Sequence, residues 1–358
     1  MADFDYGNAR LRAMKSRLLD RRELEALSES SGIGGLIAAL TRTAYRKSLE
    51  ITLARSSGMD CIAEALRLDL ISTLGNVSRF FQDRSKQMVA IVLRAYEIYN
   101  LKTILRGLNN NVPPGNILSA LLPIGDLNYT ILMELTQAPG PRGVVDMLAS
   151  MNLPISQPLL HLRAEHPGAD VPDMELVLEQ WHFREAVEDL RGDFRTEETL
   201  FATLKLDADI TNLLTVLRFA YAPAERRLLG GRSGILDFER LFVGPGRLPF
   251  ALLARAAAQD TVEAAVEILS GTAYEESLRA GLQAYAQSHR LSSFEKYLRR
   301  YRLRWTSGLI VRDALGIGVL VGYLALKTNE ISNIRWIAHG INLGLKPDAI
   351  RTELEFVL

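Results

Sequence analysis

One cysteine, Cys61, is all the thiol chemistry that 358 residues offer, and there is no excess charge of either sign, with 42 Lys and Arg against 42 Asp and Glu. A single thiol excludes an internal disulfide framework and fits a reducing compartment. Balanced charge removes the long-range pull that draws a protein to nucleic acid or anionic lipid, which leaves another protein as the expected partner. Long hydrophobic runs are also missing. The longest, Ala314 to Leu326, falls short of the ~20 residues needed to cross a bilayer. Met1-Ala2-Asp3-Phe4-Asp5 places acids where a secretory signal carries bases. A cytoplasmic protein without a transmembrane segment of its own is expected.

Catalytic apparatus is equally scarce. No Gly-Lys-Ser/Thr loop is present to cradle phosphates, and no Asp-Asp dipeptide to hold magnesium against a diphosphate. Gly316-Ile317-Gly318 misses a dinucleotide fingerprint, because the next glycine comes one residue late and no strand precedes it. His161 and His166 stand five apart, where a metal-binding helical face needs four. Nucleophile elbows and Cys-His pairs are absent too. The sequence therefore predicts no catalytic residue, no cofactor and no bound metal.

What the chain does have is helical periodicity throughout, with apolar residues three and four apart, as in Leu11, Met14, Leu18 and in Phe294, Tyr297, Leu298, Tyr301, Trp305. Sustained alternation is missing, so the fold class is all-α. Breakers such as Val112-Pro113-Pro114-Gly115 and Gly230-Gly231 punctuate it.

One helical segment recurs three times: EIYNLKTILRG from Glu97, DITNLLTVLRF from Asp209 and EISNIRWIAHG from Glu330. Each copy has a carboxylate, an Asn three residues on, and a basic group nine residues on: Glu97, Asn100, Arg106; Asp209, Asn212, Arg218; Glu330, Asn333, His339. The flanks repeat as well. LTRTAY ending at Tyr45 matches LSGTAY ending at Tyr274, Gly125-Asp126-Leu127 aligns with Gly246-Arg247-Leu248, and Ile117 with Leu121 follows Asn100 as Ile350 with Leu354 follows Asn333. Three repeats of roughly 115 residues then account for the chain, with domains expected at 1–113, 114–234 and 235–358.

Drawn as a helix, the first copy puts Glu97 on the same face as Ile98, Leu101, Ile104 and Leu105. A lone carboxylate there is costly unless something meets it. Arg106 is about half a turn round and ~13 Å along, too far to pair within the helix. One reading has each acid meeting a base or backbone donor of an adjoining helix while the asparagines fix register. The other has three solvated charges at helix edges. Further along, Lys296, Arg299, Arg300, Arg302 and Arg304 form a basic concentration beside an aromatic stripe, and acids predominate from Glu165 to Glu198. These are either solvated faces or a polarised body whose basic side meets a partner's acids or lipid headgroups.

The opening Tyr6-Gly7-Asn8-Ala9-Arg10-Leu11-Arg12-Ala13-Met14-Lys15-Ser16, the LTRTAY segment, EIYNLKTILRG and the close from Asn329 to Leu358 together resemble the C subunit of the archaeal and bacterial V/A-type rotary ATPases, counterpart of the d subunit of the eukaryotic V-ATPases. The resemblance spans essentially the whole chain. It implies three related helical domains around a pseudo-threefold axis, shaped as a funnel with a central cavity. It also implies a non-catalytic rotor component on the cytoplasmic side of the membrane that joins the central-stalk subunits to the proteolipid rotor ring. His339 departs from Arg106 and Arg218. A stand-alone helical scaffold that holds a soluble protein in its concavity is the alternative.

Overall fold

A computed structural model describes residues 3–190, 194–223 and 238–357. Every regular element among them is a helix, and the one β contact is an isolated bridge between Ile124 and Leu127. The all-α expectation holds. The boundary expected near 234, the Gly230-Gly231 breaker and the 191–193 part of the acidic stretch lie outside the described residues.

In chain order the helices are α1 (Asp5–Lys15), α2 (Arg21–Leu27), α3 (Gly32–Leu40), α4 (Arg46–Leu53), α5 (Gly58–Val77), α6 (Asp83–Asn109), α7 (Pro114–Ala120), α8 (Tyr129–Thr136), α9 (Pro141–Ser150), α10 (Ser156–Glu165), α11 (Val171–Asp189), α12 (Phe194–Tyr221), α13 (Phe238–Leu241), α14 (Phe250–Ala257), α15 (Val262–Ile268), α16 (Glu275–Ser288), α17 (Ser292–Ser307), α18 (Leu309–Arg312), α19 (Gly318–Asn342) and α20 (Pro347–Arg351). They fall into two compact units, one made of Met1–Ser156 with Thr306–Leu358, the other of Gln157–Trp305.

The helix starts follow local chemistry. Asp20 and Glu23 form a reciprocal capping box at α2, and Asp170 and Asp173 form one at α11, each satisfying amides that the first turn leaves without partners. Asn128 caps α8 through Ile131 N–H, and Thr261 caps α15 through Ala264 N–H. Prolines open α7, α9 and α20, where a missing N–H costs nothing.

In the first unit, the helices nearest the N-terminus pack on the returning C-terminal segment, with α1, α3 and α5 lying against α19. Asn8 of α1 donates from Nδ2 to Gly316 O at 3.0 Å, and the Arg12 guanidinium donates to Ala314 O. The small residues Gly318 and Gly322 serve close packing. A Cβ on Gly318 would stand 2.9 Å from Leu309 O, and one on Gly322 would stand 3.0 Å from Thr306 O.

In the second unit, α12 packs on α14 and α15, and the core gathers Leu213, Leu217, Phe242, Leu253, Leu278 and Phe294. Fully burying a leucine or phenylalanine side chain contributes about 1.5–3 kcal/mol. Three long helices, α6, α12 and α19, span 27, 28 and 25 residues. They carry the three copies of the repeated segment.

Candidate functional site: three carboxylate and asparagine clamps

Asparagine is the shared part. Asn100, Asn212 and Asn333 lie on the buried faces of α6, α12 and α19, at most 1% exposed. Each makes the same pair of bonds to the backbone of a single distant residue. Asn100 Nδ2 donates to Leu122 O at 2.7 Å while Leu122 N–H donates to Asn100 Oδ1 at 2.8 Å. Asn212 does this with Val243, at 3.1 and 2.8 Å. Asn333 does it with Glu355, at 2.9 and 3.0 Å. A primary amide holds a donor and an acceptor side by side, as one side of a β ladder does. An aspartate at this place would face the carbonyl with no proton to give, and a leucine would leave both buried backbone groups unsatisfied at about 1–3 kcal/mol each.

The carboxylates are the second part. Glu97 Oε1 accepts from Asp126 N–H at 2.7 Å. Asp209 accepts from Arg247 N–H at 3.0 Å on each oxygen, from Leu248 N–H at 3.1 Å and from the Tyr274 hydroxyl at 2.8 Å. Glu330 accepts from Leu19 N–H and from the Tyr45 hydroxyl, and its Oε1 lies 3.0 Å from Lys327 Nζ. The expectation of a backbone donor therefore describes the contacts, but the donors sit in turns between helices, not in helices. Burying these acids is tolerable because they are met by N–H and O–H groups.

Glycine lets two of the carboxylates approach. A Cβ on Gly125, whose φ is +59°, would stand 1.9 Å from Glu97 Oε1, and one on Gly246 would stand 1.9 Å from Asp209 Oδ1. The aligned Gly125-Asp126-Leu127 and Gly246-Arg247-Leu248 stretches are thus the turns that the acids hold.

Order along the chain is the third part. Glu97 holds a turn downstream of α7, Asp209 holds a turn between α13 and α14, and Glu330, in the last copy, reaches back to Leu19 between α1 and α2. Glu97 and Asp209 take their backbone donors from turns 29 and 38 residues downstream, whereas Glu330 takes its from a turn 311 residues upstream.

Around Glu330 the clamp becomes a buried charged cluster. Lys327, 4% exposed, has Nζ 2.8 Å from Asp69 Oδ2, donates to the Tyr45 hydroxyl oxygen at 2.9 Å and lies 4.2 Å from the Tyr45 ring centre. Burial, and then the Glu330 carboxylate, hold the Tyr45 phenol well above its ordinary range. Tyr274 is raised in the same way by burial and then by Asp209. Glu97 is also raised, first by burial and further by the neighbouring Asp126 carboxylate, while donation from Asp126 N–H and Leu127 N–H and the positive charge of Arg94 pull the other way.

The basic members of the motif stand apart. Arg106, Arg218 and His339 are exposed, so structure divides each motif into an inward acid and asparagine and an outward basic group. The downstream repeat is a packing device. A Cβ on Gly107 would stand 2.6 Å from Ile117, and one on Gly340 would stand 2.6 Å from Ile350.

The basic concentration on α17 is not one uniform face. Arg299 and Arg304 are exposed, Lys296 is half-buried, Arg300 lies over the Tyr297 ring at 5.6 Å, and Arg302 Nη2 donates to Asp207 Oδ2 at 2.9 Å. The aromatic stripe faces inward, with Phe294 and Leu298 fully buried and Trp305 stacked under Arg247 at 4.8 Å.

Sequence reasoning marked Tyr45 and Tyr274 as repeat flanks without linking them to the acids. It missed Lys327 and Asp69: Asp69 lies outside the repeated segment, and the place of Lys327, three residues before the acid, holds Arg94 in the first copy but Leu206 in the second. Among the described residues no helix is long and apolar enough to cross a membrane.

Comparison with known proteins gives consistent matches over the full length. Residues 7–353 match the profile of the ATP synthase (C/AC39) subunit family. The chain is 26% identical over 351 residues to the C subunit of the A-type ATP synthase of Pyrococcus abyssi, covering 97% of this chain and 89% of that one. It is 26% identical to the C subunit of the V-type ATP synthase of Deinococcus radiodurans, covering 99% and 91%. It is 26% identical to the C subunit of the A-type ATP synthase of Haloferax volcanii, covering 98% and 97%.

Proposed function

This chain belongs to the ATP synthase (C/AC39) subunit family, and from that membership we propose that it is the non-catalytic rotor adaptor of a V/A-type ATP synthase. It joins the central stalk to the proteolipid ring on the cytoplasmic face of the membrane. Torque passes through it while nucleotide chemistry and the movement of protons or sodium ions occur in other subunits. Three helical domains, 1–113, 114–234 and 235–358, close around a pseudo-threefold axis as a funnel, and the stalk enters the central cavity.

The observation that carries this reading is the cyclic order of the clamps: Glu97 on Asp126, Asp209 on Arg247, Glu330 on Leu19. A series of equivalent contacts whose last member returns to the first supports a closed body over an open solenoid, and a body that transmits torque must keep its shape under load. Neutral overall charge supports retention by protein contacts.

The test is reconstitution of the synthase with and without this chain. Without it, ATP hydrolysis by the catalytic part should continue while ATP-driven ion pumping is lost, and adding the chain back should restore pumping. Cysteines placed at Arg300 and at Glu185 should crosslink to stalk or ring subunits in the assembled complex. Pumping at the full rate in a complex lacking the chain would rule out the adaptor role.

A further inference from the structure

The three clamps are built on one plan and differ in strength. The asparagine half is the same in each, with two backbone bonds to one residue. The acid half is not. Asp209 and Glu330 each collect a tyrosine hydroxyl in addition to backbone N–H, and Glu330 has Lys327 against it. Glu97 has backbone donation from Asp126 and Leu127 N–H and the attraction of the Arg94 charge, but among the described residues no tyrosine hydroxyl is added to it.

The sequence shows where the difference arises. The residue just before α4 is Tyr45 and the one just before α16 is Tyr274, and both hydroxyls reach an acid. The residue in the same place before α10 is Ile155, which is buried and has no hydroxyl to offer. The turn itself contributes charge of opposite sign in the two places. The amide that Glu97 accepts from belongs to Asp126, whose own carboxylate repels it against the attraction of Arg94, whereas the amide facing Asp209 belongs to Arg247. Glu97 is also half-buried, so water can compete for its oxygens.

We propose that the turn Leu122–Leu127 is the release point of this protein, the contact that opens first under load or thermal fluctuation, while the turns at Val243–Leu248 and Leu19 hold. A segment fixed by fewer and weaker contacts opens at a lower free energy than the surrounding fold, and moving parts are drawn from such segments. The Asn100 bonds at Leu122 anchor one end, so the opening is a swing of residues 123–127 away from α6 and not a loss of the whole turn. The swing depends on contacts within the first unit and stands whether or not the chain acts as a rotor adaptor.

Hydrogen–deuterium exchange on the full chain, corrected for intrinsic rates, reads the opening directly. Amides in 123–127 should exchange on the order of tenfold faster than those in 244–248, the worth of about one hydrogen bond. Glu97→Gln keeps an acceptor for the Asp126 amide and removes the buried charge. Asp126→Asn keeps the donor and removes the repulsion. Each should slow exchange in 123–127 several-fold and leave 244–248 unchanged. Equal protection of the two turns in the parent protein would overturn the proposal, and so would faster exchange at 123–127 in both variants.

Discussion

Tyr274 gives its hydroxyl proton to Asp209 across 2.8 Å, although 65 residues separate them in the chain. The carboxylate is fully buried, and its other donors are the backbone amides of Arg247 and Leu248. That pair welds the turn before α16 to the centre of α12.

Removing the hydroxyl with Tyr274→Phe keeps the ring packed against Tyr301, whose centre lies 5.0 Å away. The cost should be about 1–3 kcal/mol, from leaving a charged acceptor short of one donor. Urea denaturation with an unchanged slope and a lower midpoint is the expected result.

Asn212→Leu tests the clamp itself. Val243 N–H and C=O would both lose their partner inside the core, so the melting temperature should fall by several degrees, in line with about 2–4 kcal/mol. An unchanged or higher melting temperature would mean that the amide contributes nothing net.

Gly246→Ala should be costly out of proportion to one methyl group. Its Cβ would meet Asp209 Oδ1 at 1.9 Å and force the carboxylate off its donors. A loss of about 1–3 kcal/mol is expected, against a near-neutral Gly115→Ala, where nothing stands within 4 Å.

Lys327→Met leaves the buried Glu330 and the half-buried Asp69 without their shared cation. Breaking a buried pair by removing one partner costs about 3–5 kcal/mol. The double variant with Glu330→Gln should recover part of the loss, which a double-mutant cycle would measure.

For Glu97 the sign follows from the raised carboxyl. Folding favours its protonated form, so the ionised form subtracts stability at pH values above the raised value, and that penalty disappears as pH falls below the ordinary carboxylate value near ~4.3. Glu97→Gln should therefore match or exceed the parent in stability at neutral pH, with the difference shrinking as pH falls toward the ordinary carboxylate range. A variant clearly less stable than the parent at neutral pH would reverse the assignment.

Much of this was legible beforehand. Period-three and period-four spacing gave the helices, and the repeated acid and asparagine gave three equivalent positions on α6, α12 and α19, with met and solvated acids left as alternatives. The LTRTAY and LSGTAY flanks carried a signal that the tyrosines matter, but not where their hydroxyls go. A repeat aligned by residue type says which positions are equivalent and nothing about which other segment each one touches.

The sequence by itself determined the helical class, the triplicated segment and the family, because these depend on local spacing and on order along one chain. Only the tertiary structure decided that the carboxylates bind turn amides, that Glu330 reaches back to Leu19, that Lys327 and Asp69 join it, and that the Tyr274 hydroxyl reaches Asp209. Those are pairings between residues tens to hundreds of positions apart. They are fixed by which helices pack together, a choice that hydrophobic burial makes over the whole unit and that no local pattern encodes.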